Sequence, residues 1–113
     1  MRYWKGVDEV STVKHIVMWT LSGRTAPERA RQASQLRDSF HSLRRRIPGL
    51  LRLEVGIDHS RVDHACDVVL YTEFASQAAL DGYATHAEHL RVKEEVAGLR
   101  AGRWQVDYDE PGN

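Results

Sequence analysis

The sequence predicts an α+β fold in the order β-α-β-β-α-β. This is the ferredoxin-like split βαβ arrangement, an antiparallel four-stranded sheet with helices on one face. Three observations carry the prediction. Four segments, 13–21, 51–58, 66–74 and 103–109, are rich in β-branched and aromatic residues or alternate in polarity at strand length. Between the first two lies a helical stripe of Ala30, Ala33, Leu36, Phe40, Leu43 and Ile47 at spacings of three and four. Between the last two lie two shorter helical runs that meet near residue 85.

The elements follow in order. Residues 1–12 show no clear period and read as an N-terminal arm in which Trp4 has the most apolar surface to bury. The domain proper spans 13–109, with 110–113 as a tail. In the first strand Val13, His15, Val17, Trp19 and Leu21 share one face, and Ile16 and Met18 lie on the other. Both faces are largely apolar, as in a central strand covered on both sides. Thr25 and Glu28 form a capping box with Pro27 in the first turn. The helix is expected to carry Arg44, Arg45 and Arg46 in its last turns, where cations favour the negative end of the dipole, and to stop at Pro48-Gly49. In the second strand Leu51, Leu53, Val55 and Ile57 are expected inward. In the third, Val68, Leu70, Thr72 and Phe74 share a face, with Val69 and Tyr71 opposite. Ser76 is placed to cap a helix over 77–83. Thr85 and Glu88 read as a second capping box, opening a helix at His86 that packs Leu90, Val92, Val96 and Leu99. In the last strand Trp104, Val106 and Tyr108 share one face.

Composition narrows the function. At 113 residues the chain is one domain. Sixteen basic residues balance sixteen acidic ones, so nothing suggests nucleic-acid binding by bulk charge. No apolar run approaches a membrane span of ~20 residues, and no signal-type core opens the chain. Cys66 is the only cysteine, which excludes an internal disulfide. A soluble cytoplasmic protein is expected. Asp58, His59, Asp63, His64, Cys66 and Asp67 match no standard metal spacing. No metal and no cofactor is implied.

The stretch Tyr83-Ala84-Thr85-His86-Ala87-Glu88-His89 holds a phenol and two imidazoles at a helix junction. Proton transfer near neutral pH uses such groups. The plainer alternative is a packed tyrosine and solvated helix-start histidines. His15, among apolar neighbours, reads equally as a core histidine or a pocket group. The sheet face away from the helices keeps apolar groups, which is unusual for a monomer. Two copies packed sheet to sheet are therefore expected.

Several segments in order resemble the stress-responsive A/B barrel (Dabb) family. They are Val-Lys-His-Ile-Val at 13–17, Ile47-Pro48-Gly49-Leu50, the strand at 67–74, Tyr83-x-x-His86-x-x-His89 and Val106-Asp107-Tyr108. The family signature usually has proline where Ala87 stands. The resemblance implies a dimeric α+β barrel, a homodimer with a small-molecule pocket between sheet and helices. One plant branch of that family acts as a cofactor-independent polyketide cyclase by intramolecular aldol condensation. Carried over by position, Tyr83 and His89 are the implied catalytic pair, with His89 as base and Tyr83 as donor. His15 matches a pocket histidine, and His86, Trp19 and Tyr71 complete the expected ligand pocket. A non-catalytic, stress-related dimer is the competing expectation. Cofactor-free monooxygenases and isomerases on similar barrels form a third class, for which no motif speaks.

Overall fold

A computed structural model describes residues 11–111. The elements are β1 (Ser11–Leu21), α1 (Ala26–His41), β2 (Leu50–Ile57), β3 (Val68–Phe74), α2 (Gln77–Thr85), α3 (Ala87–Val96), a 3-10 turn at Ala97–Leu99, and β4 (Arg100–Pro111). The strands form one sheet in the order β2-β3-β1-β4, every neighbouring pair antiparallel. This is the expected βαββαβ architecture, with β1 central. Residues 1–10 of the expected arm, Trp4 among them, lie outside the described residues, as do residues 112–113 of the expected tail. Among the described residues no helix is long and apolar enough to cross a membrane.

One face of the sheet is covered. Val13, Val17, Trp19 and Leu21 of β1, Leu53 of β2, and Val68, Leu70 and Phe74 of β3 are buried there with Leu36, Phe40, Leu80, Val92 and Val96 of the helices. The period-two alternation of β1 and β3 dictates this, since successive side chains take opposite faces. The opposite face stays open. Met18, Trp104, Val106 and Tyr108 are each 39–52% exposed on it.

Several expectations need correction. The α1 helix opens on its capping box, with Glu28 N–H donating to Thr25 Oγ1 at 3.2 Å and the Glu28 carboxylate accepting from Thr25 N–H at 3.3 Å. It ends at His41 rather than near Ile47. The Ser42 hydroxyl donates to the Ser39 carbonyl at 2.6 Å, and Arg45 adopts φ +67°, which no continuing helix permits. The arginine run is therefore a turn, and Arg44 Nη2 donates to the Leu53 carbonyl at 3.0 Å. Leu43 and Ile47 remain buried without helical backbone.

In β2, Leu51 is 58% exposed instead of inward. Leu50 pairs with Phe74 and Arg52 with Glu73, so Leu51 is the extra residue of a bulge that shifts the alternation. Ile57, at the strand end, is also exposed. Ala30 and Leu90 sit at the exposed edges of their helical stripes. Gly49, at φ +80°, is required where β2 leaves the turn: a Cβ there would meet the Ala79 Cβ at 2.5 Å.

Candidate functional site

The α2–α3 junction builds one wall of the site. Ser76 caps α2, its hydroxyl accepting the Ala79 N–H at 3.1 Å. The helix runs through Thr85, so Thr85 is not the cap of α3. That role falls to His86, whose backbone is extended (ψ 139°) and whose Nδ1 accepts the Glu88 N–H at 3.0 Å. Glu88 does not complete a box. Its carboxylate instead accepts from Arg91 Nη2 at 3.0 Å and Arg46 Nη1 at 3.4 Å. These arginines hold the carboxyl below the usual carboxylate range. His86 thus caps α3 with its ring nitrogen while its backbone N–H donates to the Tyr83 carbonyl of α2 at 3.1 Å, and it does not line the cavity described below, contrary to expectation.

The sharp turn at His86 lets α3 bring His89 back over Tyr83. The two rings stack at 4.0 Å between centroids, 30° apart. His89 Nδ1–H donates to the Ala84 carbonyl at 3.3 Å, which leaves Nε2 as an acceptor in the neutral ring. Burial pushes the His89 imidazole below its ordinary value, and the nearby Lys93 and His15 act in the same direction. The ring therefore carries a free acceptor at neutral pH.

Tyr83 is almost wholly buried. Burial raises its phenol well above the ordinary value, and the charge of Arg103 only partly opposes this. It remains protonated and able to donate.

The sheet supplies the other wall. His15 of β1 meets Tyr83 edge-on at 6.1 Å and Phe74 at 6.5 Å. Its Nδ1–H donates to Asp107 Oδ1 at 2.6 Å, and Asp107 Oδ2 accepts from Gln105 Nε2 at 3.0 Å. A carboxylate on Nδ1 fixes the ring orientation. The His15–Asp107 pair faces across the β1–β4 ladder, where the two residues are directly paired.

Two adjoining hollows share His15, Tyr83, His89, Lys93 and Arg103. One, of about 230 Å³, also reaches Trp19 and Arg100. The other, of about 290 Å³, also reaches Gln105 and Asp107. Among the described residues three buried side-chain polar atoms have no hydrogen-bond partner: Trp19 Nε1, Tyr83 OH and Arg100 Nε. All three residues line the 230 Å³ hollow. Each such group costs about 1–3 kcal/mol when left unpaired, so their gathering in one place is the strongest physical sign of a site.

A larger hollow of about 490 Å³ is bordered by Met18, Gly56 and Val69 of the open sheet face. It holds none of these unpaired atoms, and its size alone does not make it the chemical centre. Among the described residues no three His, Cys, Asp or Glu side chains are placed to hold a metal ion.

Of the residues singled out from sequence, Tyr83, His89, His15 and Trp19 come together. Tyr71 does not. It alternates with the inward Leu70 and Thr72, and so lies on the open face. There its hydroxyl donates to Glu73 Oε2 at 2.6 Å, and Lys14 and Arg52 lie 6.0 and 5.6 Å from its ring. Seven polar wall residues were missed: Gln77, Asp81, Lys93, Arg100, Arg103, Gln105 and Asp107. A signal existed in β4. Its apolar residues Trp104, Val106 and Tyr108 are exposed, so Arg103, Gln105 and Asp107 face the helices, where a packed core would need apolar groups.

A ferredoxin-like sheet with a Tyr-His-His cluster under its α2–α3 corner defines the class of small α+β barrel domains. Residues 13–110 match the model of the stress responsive A/B barrel domain, Dabb, and the chain belongs to that family. Among curated proteins no match is found. Among solved structures, a dimeric ferredoxin-like protein of unknown function from Bacteroides fragilis NCTC 9343 is 27% identical, with a TM-score of 0.77 over 88% of this chain and 96% of that one. A Dabb family protein from Mesorhizobium loti MAFF303099 is 21% identical, with a TM-score of 0.64 over 87% and 95%. A hydroxynitrile lyase from Passiflora edulis is 16% identical, with a TM-score of 0.73 over 88% and 93%.

Proposed function

We propose that this chain is a homodimeric small-molecule-binding protein that takes one small, partly apolar ligand per protomer between the helices and the sheet. The observation that carries the reading is the trio of unpaired buried groups, Trp19 Nε1, Tyr83 OH and Arg100 Nε, on the wall of one cavity. A ligand with hydrogen-bond acceptors relieves their cost; a merely structural core would not retain it. Isothermal titration with a panel of aromatic and short-chain keto acids is expected to give saturable binding at one site per protomer. His89→Ala is expected to weaken it about tenfold, ~1.4 kcal/mol. A folded dimer that binds no member of the panel contradicts the reading and leaves the non-catalytic, stress-related dimer in its place.

The dimer is proposed from the open sheet face. Met18 pairs with Trp104 and Ile16 with Val106 across β1 and β4, forming one apolar surface, and large exposed apolar patches mark interfaces. The Bacteroides fragilis relative is described as dimeric. Light scattering is expected to give twice the protomer mass, and Val106→Asp to shift it to the protomer mass, because an unpaired carboxylate is costly to bury. An unchanged mass for the variant moves the interface elsewhere.

A second reading, cofactor-independent proton-transfer catalysis of the aldol type, is favoured by the His89 geometry. Nε2 would remove a proton next to a carbonyl, and the Tyr83 O–H would donate to the oxyanion that develops. The His15–Asp107 pair would orient the substrate. A hydroxynitrile lyase built on the same fold is support for catalysis on such a domain, not for a particular reaction.

A further inference from the structure

Resting on the ligand site proposed above, we infer that the ligand is a small organic acid, bound with its carboxylate at the Trp19–Arg100 end of the cavity and the rest of the molecule reaching toward Tyr83 and His89, where any further acceptor meets the Tyr83 O–H. The 230 Å³ hollow is lined by three cationic residues, Lys93, Arg100 and Arg103, and by no Asp or Glu. Among the described residues none of the three forms an ion pair, so their charge at the hollow is not cancelled by a neighbouring carboxylate. Arg100 is the deepest of the three, and its Nε is buried without an acceptor.

The other two unpaired groups point to the same chemistry. An indole N–H only donates, and a phenol held protonated donates readily. A wall made of donors selects acceptors, and a guanidinium binds a planar carboxylate through two parallel bonds.

Register sets the orientation. Arg100 and Arg103 lie opposite Leu21 and Trp19, while the His15–Asp107 pair lies further along the same ladder. The two carboxylates of the adjoining hollow have partners already: Asp107 accepts from His15, further along the ladder, and Asp81 accepts from Gln77 Nε2 at 2.9 Å. Volume sets the scale. An apolar cavity of ~150 Å³ holds benzene, so about 230 Å³ suits a substituted ring or a short chain carrying one acidic group.

The test compares isosteric pairs, benzoate with benzamide and phenylacetate with phenylacetamide, by titration calorimetry on the full-length dimer. The acid of each pair is expected to bind at least tenfold tighter than its amide. Arg100→Gln is expected to weaken the acid tenfold or more while leaving the amide within twofold. The exposed Arg103→Gln and Lys93→Gln variants, which carry little risk to folding, are expected to lower the acid preference several-fold together. Equal affinities for acid and amide overturn this inference and leave the ligand site standing. Failure of all four probes to bind overturns this inference for aromatic acids, and the ligand site falls with it when the keto acids of the wider panel also fail to bind. An acid preference that survives loss of all three cations overturns the assignment to these residues.

Discussion

Beneath α1 the covered side of the sheet is a packed core. Ala33 and Leu36 are at most 2% exposed, and Phe40, stacked on Trp19 at 5.3 Å, closes that core against the hollow that both rings also line. Where α2 meets α3, the same side carries His15, Tyr83 and His89 around a hollow, with Arg103 and Asp107 of β4 at its margin. One sheet supports both regions, and β1 contributes to each. The difference lies in what the burial achieves. Under α1 it removes apolar surface from water. Under α2 and α3 it isolates polar groups, some without partners, which weakens the fold unless a ligand completes them.

That contrast predicts opposite responses to truncation. Leu36→Ala leaves a void in the packed half and is expected to destabilise the protein by about 2–5 kcal/mol, read by denaturant unfolding. Its effect on ligand affinity, measured well below the melting temperature, is expected to be small. A mild loss of stability would mean that the α1 half is loosely packed and the contrast is weaker than drawn.

Tyr83→Phe removes a hydroxyl that has no partner. Its unfolding free energy is expected to stay within about 1 kcal/mol of the parent, or to rise, while ligand affinity falls several-fold. A loss of stability well beyond that, with affinity intact, would make Tyr83 a structural group and align the two halves.

The fold was legible because its signals are periodic. The alternation of β1 and β3, the α1 stripe and the Thr25 and Ser76 caps each specify local geometry without help from distant residues. Errors arose where a tertiary contact or a single-residue shift intervened. Leu51 faces out because a bulge reverses the alternation, and α1 stops where the Ser42 hydroxyl turns back on Ser39. His86 displaced Thr85 as the α3 cap because α2 continues two residues further, to Thr85, than its polar pattern suggested.

The site was half legible. Tyr83 and His89 lie within one short motif, so the sequence itself keeps them close. Asp107 and Arg100 reach the cavity only through the β1–β4 register, which the sequence does not print. The polar inward face of β4 was the available clue.

The most direct measurement is the indole N–H resonance of Trp19 in a ¹H–¹⁵N spectrum during titration with benzoate, assigned by Trp19→Phe. The account predicts a saturable shift of that signal, with the indole of Trp104 on the open face unmoved. A Trp19 signal that stays fixed while benzoate binds elsewhere, or that reports a hydrogen bond already made in the free protein, would contradict the claim that this cavity awaits a ligand.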